Sequence, residues 1–139
     1  MSSEPGRTNI QIVAVAVGAA TYIAAAFIRT GAISYLGPPF SGHLIGSIDA
    51  LLIYITALLP GFVAATLFRS RIFVTGFVAG AVGELARSVI KLLPALHAAG
   101  WMAINTLPMD YISDIFFSAV ATGILGAAGA AVAVVSRRI

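Results

Sequence analysis

Four long apolar stretches fill this 139-residue chain, and each carries one stripe of small or polar residues along a helical face. They run over about residues 9–29, 43–68, 72–93 and 107–136, each long enough to supply the roughly 20 residues that cross a hydrocarbon core. A polar stripe on such a helix is shielded from lipid when it faces the stripe of a neighbour. The pattern therefore predicts an all-α, polytopic membrane protein of four transmembrane helices. Together the stretches consume most of the chain, so a single transmembrane four-helix domain over residues 1–139 is expected, with no soluble domain.

Composition agrees with that class. Sixty per cent of the residues are hydrophobic, 9% are charged and the mean hydropathy is +1.02, whereas a soluble domain charges about a quarter of its residues. Cysteine is absent, which excludes disulfides, thiolate metal sites and thiol catalysis. The pI near 9.8 does not point to nucleic acid, because the basic residues sit at helix ends rather than on one binding face. Orientation in the bilayer explains them better. A cleaved secretory signal is the competing reading of the N-terminus, with Ala24-Ala25-Ala26 as a weak cleavage-site mimic. The first apolar run is longer than a typical signal core and only Arg7 precedes it, so a retained helix is expected.

Short loops that carry Lys and Arg tend to stay in the cytoplasm. With the N-terminus inside, Arg7, Arg69, Arg71, Arg137 and Arg138 all fall on the cytoplasmic side, and only Arg29 and Lys91 lie toward the outside. Both termini are thus expected in the cytoplasm and the protein in the cell inner (plasma) membrane, as a multi-pass chain. The connection Arg69-Ser70-Arg71 demands a tight antiparallel hairpin of the second and third helices. Gly31–Gly42 and the outer segment 94–106, with Trp101, are expected to lie along the interface, where an indole ring suits the headgroup level.

The third helix is the most informative. Gly76, Gly80, Glu84, Arg87 and Lys91 recur at steps of three or four and share a face, and Gly76-x-x-x-Gly80 permits close backbone approach. The second helix aligns Gly46, Asp49, Thr56 and Pro60, the last expected to kink it. The fourth aligns Asp110, Asp114 and Ala121 with Ser118 at the margin, and the first aligns Gly18, Tyr22, Ala25 and Arg29. At about 1.5 Å per residue, Asp49, Glu84, Arg87 and Asp114 fall in one layer roughly 8–14 Å inside the outer boundary. Asp110, Lys91, Arg29, His43 and His97 sit above them. Such charges are either an internal ion-pair network that fixes helix register or a polar cavity for a solute or protons, because intramembrane ionisable groups are expensive and are functional candidates by default.

Other chemistry fits less well. His43 and His97 lie near helix ends, which suits interfacial residues better than haem ligands, and no short-spaced pair of metal ligands exists. Serines are present without a Gly-x-Ser-x-Gly turn, Asp110 is explained by a helix N-terminus, and no phosphate-binding glycine loop occurs. No cofactor is expected, and an enzyme is disfavoured. The glycines at 123, 126 and 129 make a smooth surface suited to packing within the bundle or between protomers. The expected partners are the lipid bilayer and a homo-oligomer or larger membrane complex, not nucleic acid.

The glycine-rich helix Gly76–Leu92 with charge near its outer end, and Leu107-Pro108 leading into a helix of small residues, resemble parts of the substrate-binding subunits of energy-coupling-factor vitamin transporters. Those subunits have more spans than the four read here. The likeness covers a minority of the chain through generic motifs, so it assigns no family. The expectation is a small transport component or channel that contacts a polar solute or ion through Asp49, Glu84, Arg87, Asp114, Lys91 and Asp110. The alternative is a non-catalytic accessory or assembly subunit of a larger membrane complex.

Overall fold

The helical period of the apolar runs is realised in four helices. The computed structural model of the chain describes residues 5–36, 42–100 and 108–138. They form α1 (Pro5–Leu36), α2 (Gly42–Leu67), α3 (Ile72–Ala99) and α4 (Met109–Ser136), with no strand among the described residues. Each helix contains a segment long and apolar enough to cross a membrane: Asn9–Tyr35, Ile45–Leu67, Ile72–Ala98 and Met109–Ser136.

Two helices outrun their expected ends. α1 continues to Leu36, absorbing the cost of about 1 kcal/mol that Gly31 adds and stopping short of Pro38, before which helical backbone is disfavoured. α3 passes through Pro94 and ends at Gly100, whose φ of 81° is open to glycine but strained for other residues. Proline removes only the bond to the Ile90 carbonyl, which the surrounding turns tolerate. The beginning of the expected interfacial segment 94–106 is therefore an extension of α3, while Trp101 and the rest of 101–107 lie outside the described residues, as do 37–41. α2 likewise runs unbroken through Pro60. The turn between α2 and α3 is as tight as its sequence demands. Arg71 closes it with left-handed backbone at φ 51°, and its carbonyl accepts from the Thr75 N–H at 3.0 Å and the Thr75 hydroxyl at 3.1 Å.

The helices ring the bundle in the order α1, α2, α4, α3. α2 and α3 approach across one diagonal, but the α1 and α4 backbones stay apart across the other among the described residues. The end that carries the α2–α3 turn and the termini is the hairpin end, and the opposite one is the loop end. Toward the hairpin end the backbones are jammed together. A Cβ on Gly61 would fall 1.6 Å from the Gly126 carbonyl oxygen, and one on Gly80 would fall 2.4 Å from that of Thr122. Ala65, Ala130 and Ala133 complete this core. The expected close approach at Gly76 and Gly80 is present, and the glycines of α4 are buried inside the bundle. At the far edge, Arg137 donates to the Ala65 carbonyl at 2.9 Å.

Toward the loop end the helices splay. A Cβ on Gly31 or Gly46 would meet nothing within 4 Å, and nearly every residue of α4 from Met109 to Phe117 is exposed. Large polar side chains on α1 and α3 take the place of the glycines there.

Candidate functional site

Glu84 is the largest of the fully buried side chains, at 1% exposure. It stands about 18 Å along α3 from Ile72, on the face that the glycine at position 80 presses against α4. Arg87 follows three residues later, on the same side of the helix. Its Nε donates to Glu84 Oε2 at 2.7 Å, and its Nη2 donates to Oε1. The Tyr22 hydroxyl of α1 donates to Oε2, and the Ser118 hydroxyl of α4 donates to Oε1 at 2.8 Å. Gly83 makes the Tyr22 contact possible, since a Cβ there would lie 3.0 Å from the Tyr22 ring.

Each carboxylate oxygen thus receives two donors, about the number of its lone pairs. A buried charge is tolerated when it is paired and its remaining valences are filled, and Glu84 meets both conditions. The network also joins α1 to α4 through α3, across the diagonal where the backbones of those two helices stay apart. Glu84 is the knot that ties the open half of the bundle.

Beside the knot lies a cavity of about 460 Å³. Tyr22 and Arg29 of α1, Arg87 of α3, and Ser118 and Thr122 of α4 supply its polar wall, while Tyr54 and Thr56 face it from α2. Small side chains such as Ala26, Ala57 and Ala121 leave the space empty, and Ile53 and Leu125 make the remainder apolar. Because Pro60 has no N–H, the Thr56 carbonyl lacks its helical donor beside this space. Ala50, Ile53 and Tyr54 of α2 and Ala121 of α4 are exposed, so the cavity has a mouth on the side where α2 and α4 part.

Arg29 is held differently from Arg87. Its Nε lies 3.7 Å from Asp49 Oδ1, beyond hydrogen-bond range, and this buried atom has no hydrogen-bond partner. The side chains are 20% and 37% exposed respectively. The pair is a loose one, next to the cavity rather than sealed from it.

Of the residues expected to form the site, Glu84 and Arg87 come together, and Asp49 stands half-buried against Arg29. Lys91, one turn beyond Arg87, is exposed. Asp110 and Asp114 are exposed on α4 and do not line the cavity. The glycine face of α4 sets which side turns inward, and Ser118, at the margin of the polar stripe, is the one that reaches Glu84. His97 is exposed, and the side chain of His43 lies outside the described set. Among the described residues no cluster of His, Asp and Glu could hold a metal ion. The site residues not singled out as ligand contacts from the sequence are Tyr22, Arg29, Tyr54, Thr56, Ser118 and Thr122. Tyr22, Arg29 and Thr56 were visible as stripe positions, but nothing in the sequence showed that they border an empty space.

No protein-family model, curated protein or solved structure matches this chain.

Proposed function

We propose that the protein spans the cell inner membrane with both termini in the cytoplasm and acts as a small transport component or channel, taking a polar solute into the cavity beside Glu84. The observation that carries this reading is the cavity itself: about 460 Å³, within the range of ligand pockets of ~300–1,000 Å³, and lined by Arg87 near the middle of α3 and by Arg29 about two turns from the loop end of α1. A bundle built only for register has no reason to keep such a space open when a larger residue at position 121 would fill it. In this reading Arg87 and Tyr22 meet the solute, and Glu84 holds them in place rather than contacting it.

Flux into proteoliposomes, followed for a panel of cationic, anionic and neutral tracers, tests the reading. Ala121→Trp fills the cavity and abolishes flux, whereas Ala128→Trp, on an exposed part of α4 near the hairpin end, leaves it intact. Equal flux in both variants sinks the proposal. The second reading, an accessory subunit, draws on Asp110 and Asp114, which lie exposed on α4. A carboxylate at the start of a membrane-crossing helix is most stable against water or a partner's polar group. In that case gentle extraction recovers the chain with other subunits at fixed stoichiometry, and Asp114→Leu releases it from them.

A further inference from the structure

Two guanidinium groups line the cavity, and no carboxylate does. Glu84 and Asp49, which pair with Arg87 and Arg29, are not among its lining residues. Each ion pair therefore presents its positive member to the cavity. Arg29 has a buried Nε with no hydrogen bond, and such a group gains from a charged acceptor. Tyr22 and Ser118 line the cavity with their hydroxyl protons given to Glu84, which leaves the guanidinium groups as its charged donors, and Ile53, Ala57 and Leu125 supply apolar lining.

Resting on the reading of this cavity as a solute site, we infer that its ligand is an organic anion, a phosphate or carboxylate headgroup on an apolar remainder. The headgroup lies between Arg29 and Arg87: Arg29 offers it a fork of parallel N–H groups, and Arg87, whose Nε and Nη2 already donate to Glu84, offers its remaining guanidinium edge. The apolar part lies along Ile53 and Leu125 toward the mouth between α2 and α4. A bare inorganic anion would leave most of the volume unfilled. A mouth on the side of the bundle admits an anionic lipid as readily as a soluble amphiphile, and both present the same chemistry to the arginines.

Delipidated protein in a non-ionic detergent would be titrated with dihexanoyl phosphatidic acid, with dihexanoyl phosphatidylcholine as the zwitterionic control, and with hexanoate as the soluble anion. The expected result is a preference of at least about tenfold for phosphatidic acid over phosphatidylcholine, reduced about tenfold in Arg29→Gln. Arg29 stands outside the Glu84 knot, so this variant is expected to fold. Arg29→Lys, which keeps the charge and loses the fork, restores part of the preference. Hexanoate that competes at comparable affinity assigns the site to soluble anions, and hexanoate that fails to compete assigns it to lipid. Equal binding of the two phospholipids, a preference unchanged by Arg29→Gln, or binding that survives Ala121→Trp overturns the inference.

The natural absence of cysteine allows a separate check on charge preference. Ala121→Cys is expected to react faster with an anionic methanethiosulfonate than with a cationic one of similar size, relative to a free thiol, and Arg29→Gln should narrow that ratio. Reaction with both reagents at the free-thiol ratio overturns the anion inference yet leaves a water-accessible cavity and the transport reading standing. Preferential anion binding without any flux does the reverse.

Discussion

The two halves of this bundle are built from opposite materials. Toward the hairpin end, Gly61, Gly76, Gly80 and Gly126 bring backbone against backbone, and a single added methyl group has nowhere to go. Toward the loop end, Tyr22, Glu84, Arg87 and Arg29 stand between helices that would otherwise part, and the space they leave is the cavity. The same residue type reports both conditions, since the glycines at 31 and 46 face open space. In lipid, helix association draws on close van der Waals packing and interhelical hydrogen bonds. Here each mechanism holds one half, and only the hydrogen-bonded half leaves room for a guest.

The largest expected effect attacks the polar half. Glu84→Ala leaves Arg87 buried without its carboxylate and is expected to destabilise the fold by about 3–5 kcal/mol, read as a shift in a reversible detergent-unfolding titration. Glu84→Gln with Arg87→Gln removes both charges and should cost less than Glu84→Ala alone. A larger loss in the double variant would mean that Glu84 is not the knot. Next comes Gly61→Ala, expected to cost about 3 kcal/mol through forced separation of α2 and α4, against Gly46→Ala, expected to be neutral or to gain up to about 1 kcal/mol from helix propensity. Equal losses at the two glycines would erase the distinction between the halves. Tyr22→Phe deletes one donor to a buried charge and should cost about 1.5–3 kcal/mol, by the same titration. The smallest effect belongs to Asp49→Asn, which loosens a half-exposed pair and should change stability by less than about 1 kcal/mol. A larger loss would show that Arg29 depends on Asp49 and would promote that pair to a second knot.

The four helices, the tight turn at residues 69–71 and the glycine approach on α3 were legible in the sequence because each follows from local chemistry: apolar run length, loop length, and small residues at steps of four. Glu84 and Arg87 were legible as partners because their spacing of three puts them on one face. The side of α4 that turns inward was not. Its polar residues at 110 and 114 and its glycines at 123, 126 and 129 mark different faces, well over a quarter-turn apart at 3.6 residues per turn, and packing energy, not polarity, decided between them. The cavity was invisible for a deeper reason. A void is a property of what four helices fail to fill together, and no single stripe records it.

The four-residue turn between α2 and α3 also has a consequence for how the chain enters a membrane. α3 has the lowest mean hydropathy of the four candidate spans, 1.4, and α2 has the highest, 2.1. Under the proposed placement in a membrane, a turn so short gives the two helices no independent route into a bilayer, and the more apolar helix would carry its charged neighbour in as one hairpin. Glu84 and Arg87 sit three residues apart within one helix, so their pairing needs no residue of another helix. Ser118, the last of the Glu84 partners in chain order, adds a hydroxyl to a site whose charges already balance within α3.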